Sequence, residues 1–253
     1  MRIGFLLGVL LMCAQARADQ LNLQYLHDVR TNSYLLCASS MLYFNPAEKA
    51  QDPRALTGSF GNLTQLDTRV AQLGLPPQLT EIERLMKAEF KALDATPRSK
   101  IQDYPAHILS LLQLQRRLDA WGAEQYQQEL HSAPLPLATL HQQSLAMAQL
   151  LLDYQVRQYP LPAGAPSVFT QAQRDQLDQA IAERFELLLK QHPLQATELN
   201  RVRSSYRFVR PQLLGGEEFR AKGGADFYIA RNIADLDEMA MQLVLSPTAS
   251  ASR

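Results

Sequence analysis

Apolar residues recur along this chain every three or four positions, the spacing that places them on one side of an α-helix. Leu23, Leu26, Ser33, Leu36, Met41 and Phe44 set the rhythm first, and Leu56, Phe60, Leu63, Leu66, Val70 and Leu73 continue it. It returns in Ile108, Leu111, Leu112, Leu118 and Trp121, and then in Leu137, Leu140, Ala148, Leu151 and Leu152. Leu177, Ile181, Phe185 and Leu188 mark a further helix, and Leu199, Val202, Tyr206, Val209 and Leu213 another. Ile229, Ile233, Leu236, Met239 and Leu243 carry the last. Proline and glycine separate these stretches at 45–53, 74–77, 96–105, 133–136, 160–166, 192–193 and 215–224. No run alternates with period two strongly enough to predict a strand. The pattern predicts an all-α, up-and-down bundle of about seven to eight helices arranged in hairpins.

Start signals sharpen the boundaries. Thr80-Glu81-Ile82-Glu83 has the form of a capping box, and Thr170 with Gln173 repeats it. Asp103, two residues before Pro105, suits a helix start because proline is tolerated in the first turn. The helix from about Pro105 to Leu130 would be about 40 Å long at 1.5 Å per residue. There is no fixed-period repeat of the solenoid kind.

The N-terminus has a different logic. Arg2, the short apolar run Ile3 to Met12 and Ala16-Arg17-Ala18 form the three parts of a secretory signal, with cleavage expected before Asp19. A run of about ten residues is too short to span a bilayer, which takes roughly twenty. No later stretch comes near that length without charge, so no membrane span is expected after cleavage, and the expected location is periplasmic or secreted. A single helical domain over 19–245 and a disordered tail over 246–253 complete the expected organisation.

Losing Arg2 and Arg17 takes the 25 basic and 25 acidic residues to 23 and 25, a balance of −2 that argues against nucleic-acid binding. Cys37 is the one cysteine left after the leader, so no internal disulfide can form. Its place between Leu36 and Met41 predicts a buried thiol packing as a small apolar group.

The usual chemical motifs are missing. None of His27, His107, His131, His141 or His192 lies three residues after a glutamate, and there is no C-x-x-C-H, so no metal or cofactor is expected. Gly58-Ser59-Phe60-Gly61 lacks the strand-turn-helix setting of a nucleophilic serine. His27 and Cys37 are ten positions apart on one helix, about 15 Å along its axis, too far to act together. The glycine pairs at 215–216 and 223–224 fall between helices, where no phosphate cradle is expected. No catalytic residue is assigned.

The one local feature of interest is basic. Arg203, Arg207 and Arg210 fall at i, i+4 and i+7, with Tyr206 and Phe208 interleaved. Residues 195–222 hold six basic against three acidic residues, a local +3. A solvated face near a helix end explains such a stripe, because cations complement the helix dipole there. The functional reading is a site for a carboxylate or phosphate, which guanidinium groups bind in bidentate fashion.

Two resemblances add expectations. Phe169-Thr170-Gln171-Ala172-Gln173 looks like the L-T-x-x-Q motif of small periplasmic stress chaperones, a pattern that helix capping alone also produces. Residues 205–214, SYRFVRPQLL, with 227–233, FYIARNI, are similar to the closing helix pair of a group of proteobacterial exported helical proteins. Those resemble the helical sensory domain of type IV pilus methyl-accepting chemotaxis transducers. That family's Q-R-M-L-S-Q signature is missing, with Asn32-Ser33-Tyr34-Leu35-Leu36 at the comparable place, so no binding residues are carried over. The expected function is a non-enzymatic binding or sensory-partner module, working with a membrane-bound or periplasmic protein or, through the arginine stripe, a small anionic ligand. The alternative is a holdase-type chaperone using an apolar helical surface.

Overall fold

The structure, a computed structural model, describes residues 2–48, 50–130, 133–163, 165, 167–215 and 224–246, with side chains from Arg17 onward. Eight α-helices and no strand form among these residues: α1 (Arg2–Tyr43), α2 (Pro53–Gln72), α3 (Pro77–Ala95), α4 (Tyr104–Glu129), α5 (Leu135–Gln158), α6 (Gln171–Gln191), α7 (Ala196–Leu214) and α8 (Ala225–Leu245). Short 3-10 turns at Arg98–Asp103 and Pro193–Gln195 lead into α4 and α7. The all-α bundle expected from the periodicity is therefore the fold.

Its helices close into two successive rings. The first runs α1–α2–α3–α4 and back to α1; the second runs α5–α6–α7–α8 and back to α5. Within each ring every helix packs on the next, as in a four-helix bundle. The rings join where α1 lies against α5 and α8. α1 and α5 are thus enclosed on nearly all sides, and α5 buries seventeen residues around its circumference, a pattern that marks an interior helix.

The apolar stripes fill the core as expected, from Leu23 and Leu36 on α1 to Ile233 and Met239 on α8. Cys37 is buried and donates to the Leu111 carbonyl at 3.7 Å, and burial pushes its thiol pKa up to about 12. Two local expectations are corrected. Thr80 does not cap a helix: α3 begins three residues earlier at Pro77, because proline fits the first turn, and the Thr80 amide already bonds the Pro76 carbonyl. Phe60 is half exposed, since the inward face of α2 runs through Ala55, Ser59, Leu63, Leu66 and Val70. The Thr170–Gln173 box forms in full at the start of α6.

At the other end of the chain, α1 runs unbroken through 16–18, and Arg17, Ala18 and Asp19 are exposed. Arg17 donates to the Val244 carbonyl at 3.3 Å and to that of Leu245, covering free carbonyls at the end of α8. The glycine-bearing connector at 216–223, His131 and the tail beyond Ser246 lie outside the described residues.

One glycine is fixed by a close approach. Arg30 on α1 donates Nε to Asp119 on α4 at 2.7 Å, and Tyr34 donates to the other oxygen of that carboxylate at 2.8 Å. A Cβ on Gly122 would stand 2.8 Å from Arg30 Cγ, close to the stem of the side chain where little movement is available. Gly122→Ala should therefore destabilise the protein by about 1–3 kcal/mol in urea unfolding, despite alanine's better helix propensity. In an Arg30→Ala background the same change should become neutral or stabilising, because the obstruction is gone.

Candidate functional site

Gln24, His27, Asp28 and Thr31 occupy positions i, i+3, i+4 and i+7 of α1, so they form one polar stripe on a helix whose other faces are packed. All four are buried. Buried polar groups have to be paired, and this stripe recruits partners from α2, α5 and α8, with α4 joining through His141.

Donor and acceptor roles follow from the partners. Tyr126 of α4 donates its hydroxyl to His141 Nδ1 of α5 at 2.9 Å. His141 Nε2 donates to Gln24 Oε1 at 2.8 Å, and Gln24 Nε2 donates to Asp28 Oδ1 at 2.7 Å. Arg69 of α2 places Nε 2.7 Å from Asp28 Oδ2, although its N–H is not aimed along that contact. Every donor in this chain points toward the Asp28 carboxylate. Beside it, the His27 ring stacks on His141 with centroids 4.2 Å apart. Nε2 of His27 lies 3.0 Å from Asp237 Oδ1 on α8 and 2.8 Å from Ser144 Oγ on α5.

Burial of both rings, and the proximity of His27, hold the His141 pKa well below the usual histidine value, so the ring is neutral and can accept from Tyr126. Asp28 moves the other way. Desolvation and the nearby Asp237 carboxylate raise its pKa to about 6, against the opposing pull of His27, Arg69 and the Gln24 hydrogen bond. Among the described residues His27, Asp28 and Asp237 are the one group of three histidine, cysteine or acidic residues whose donor atoms could share a metal ion.

A second feature lies on the α6–α7 face. Arg203, Tyr206, Arg207 and Arg210 all line one concavity of about 380 Å³, with Asp178, Ala182 and Phe185 opposite. Arg210 grips Asp178 through two nitrogens, at 2.8 and 2.6 Å, and Tyr206 donates to the same carboxylate at 2.7 Å. Burial and then the Asp178 bond push the Tyr206 pKa far up, so its hydroxyl stays a neutral donor. Arg203 reaches Glu186 at 2.8 Å and Asn200 at 2.7 Å. Arg207 is exposed and makes no ion pair or hydrogen bond among the described residues. The lining carries three arginines and one carboxylate, a formal +2.

A third concavity, about 370 Å³, opens between α1, α2 and α8 and is walled by Leu35, Ala38, Leu42, Ala55 and Ala230, with Arg54, Asp226 and Arg231 at its polar edge.

The fold thus brings all four residues of the arginine stripe to one groove. The buried stripe on α1 has no local sequence signal: its histidines are 114 positions apart, and only the topology unites them with Asp237. The remaining histidines stand elsewhere, His107 against Glu89 at 2.6 Å and His192 at the end of α6. No family model, curated protein or solved structure matches the chain.

The two shifted groups of the seam give opposite pH dependences. Asp28 has a folded pKa above its unfolded value near 3.8, so the folded state holds the extra proton between about 4 and 6, and this contribution to stability falls as pH rises through that window. For His141 the unfolded state binds the proton below about 6.5, so its contribution is lost as pH falls. Asp28→Asn removes only the first. Urea unfolding at pH 4 and pH 7 should show wild type losing stability relative to this variant as pH rises, by on the order of 2 kcal/mol.

Proposed function

We propose that the protein is a non-enzymatic, exported binding module that holds a small carboxylate- or phosphate-bearing molecule in the α6–α7 groove. It would act from the periplasm or outside the cell, beside a membrane-bound or periplasmic partner. The observation that carries this reading is the convergence of Arg203, Arg207 and Arg210 on one concavity, with Arg207 unpaired among the described residues. Arg203 and Arg210 are oriented by their own carboxylates, so a ligand meets guanidinium groups already held in place. Phe185 and Tyr206 provide an apolar wall, and polar groups set into an apolar concavity are the usual form of a small-molecule site. Fully charged arginine over the whole working pH range suits anion capture without a proton switch.

The holdase reading would draw on exposed apolar surface. Phe208 and Phe227 are exposed and each meets Tyr228 edge-on, at 5.3 and 5.5 Å between centroids. The other large exposed apolar side chains, among them Leu75, Leu135 and Leu194, are distributed over separate elements. An aromatic trio is a small patch beside the few hundred Å² that mark an interaction surface.

Thermal unfolding of the wild type against a panel of small organic acids and phosphates should show stabilisation by at least one of them. Arg207→Ala should keep the far-UV spectrum and the unliganded Tm, since the side chain is exposed, and lose most of that stabilisation. A wild type that no member of the panel stabilises would remove the basis of this function.

A further inference from the structure

We propose that His27, Asp28 and Asp237 form a binding site for a divalent transition-metal ion at the seam between the two rings. The donor atoms are one imidazole nitrogen and two carboxylate oxygens, all within 4.8 Å of one another. Metal–ligand bonds of about 2.0–2.2 Å in a tetrahedral site bring such donors to about 3.3–3.6 Å, so an inward turn of a carboxylate by on the order of 1 Å completes the set. His27 Nε2 and Asp237 Oδ1 are already 3.0 Å apart.

The charge around the cluster favours a cation. Asp28 and Asp237 come from α1 and α8; the other groups facing them are Arg69 from α2 and His141 and Ser144 from α5, with Tyr126 of α4 behind His141. Arg69 offsets one carboxylate, and the single ion-pair partner of Asp237 among the described residues is the His27 ring. Two buried or half-buried carboxylates against one guanidinium leave a negative charge with little water to screen it.

The surroundings also serve a ligand set. Gln24 and Arg69 hold the Asp28 carboxylate from behind, and outer partners of this sort orient metal ligands. The His27 ring is fixed by its stack on His141, so its nitrogen is aimed rather than free to rotate. Metal binding takes the Nε2 lone pair, which leaves Nδ1 to carry the ring proton of the bound imidazole. Ser144 Oγ, 2.8 Å from that nitrogen, offers a neutral fourth oxygen. Asp237 is one-fifth exposed, which gives an ion a way in from solvent. One nitrogen and two carboxylate oxygens suit zinc, manganese, cobalt or ferrous iron more than calcium or copper.

The test uses the full chain, stripped with a chelator, dialysed and titrated with cobalt(II) near neutral pH. Visible d–d absorption should saturate at one cobalt per chain, and zinc should compete it away and raise the Tm. His27→Gln and Asp237→Asn should each weaken cobalt binding at least tenfold, while His192→Gln, away from the seam, binds as wild type does. Asp237→Asn is the decisive variant because the residue is partly exposed and the amide oxygen can still pair with His27; its far-UV spectrum should match the wild type and its metal-free Tm shows any cost of the lost charge separately from cobalt binding. The proposal is overturned by a titration with no saturable absorption, or by absorption that persists in both seam variants. A Tm that follows pH but not metal overturns it as well, assigning the cluster to a proton.

Discussion

From Leu23 onward α1 is largely shut off from water, and most of the molecule's arrangement answers to that. The helix closes the first ring and also forms the wall on which the second ring rests, so it has no solvent-facing side over much of its length. An interior helix made only of apolar side chains would pack without cost, but this one carries Gln24, His27, Asp28, Arg30 and Thr31 into the interior. Each such group left unpaired would cost several kcal/mol. Arg69, Asp119, Tyr126, His141, Ser144 and Asp237 occupy the places where those groups need partners, and they come from every helix that touches α1. The same network therefore fixes how α2, α4, α5 and α8 are set around it. Replacing one member leaves its partner buried and unpaired, which is why such networks tolerate little change.

The outer face works under the opposite condition. On α6 and α7 the charged groups other than the buried Asp178 remain in contact with water, and exposed pairs such as Arg203 with Glu186 contribute little to stability. Their effect is geometric: they orient guanidinium groups around a concavity. One chain thus holds two kinds of charge, one buried and structural in its effect on α1, the other at the surface and open to a ligand. The two sites share no side chain, so the groove and the seam can be altered independently.

How much of this was legible beforehand follows from the range of the interactions. Helical periodicity depends on neighbours three and four residues away, so the helices and their buried stripes could be read directly, and the Thr170–Gln173 box with them. The Thr80 box misled because a local motif competes with a better one: Pro77 starts the helix before the threonine is reached. The arginine stripe was visible for the same local reason, since i, i+4 and i+7 share a face. The seam was not. His27 finds its partners on α5 and α8, more than a hundred residues away, and each histidine taken singly looks incidental. Topology supplies that information, and the closing of two rings against each other is not written in any window of the sequence. Gly122 is a similar case, an unremarked helical glycine until Arg30 passes over it.

The joint between the rings has a mechanical meaning. α4 and α5 are consecutive in the chain yet belong to different rings, and the rings meet through the packing of α1 on α5 and α8. Sliding one ring along the other by a helical turn is a shift of about 5.4 Å, longer than any hydrogen bond can stretch. The seam then behaves as a detent rather than a bearing: its bonds hold together in one register and break together in the next.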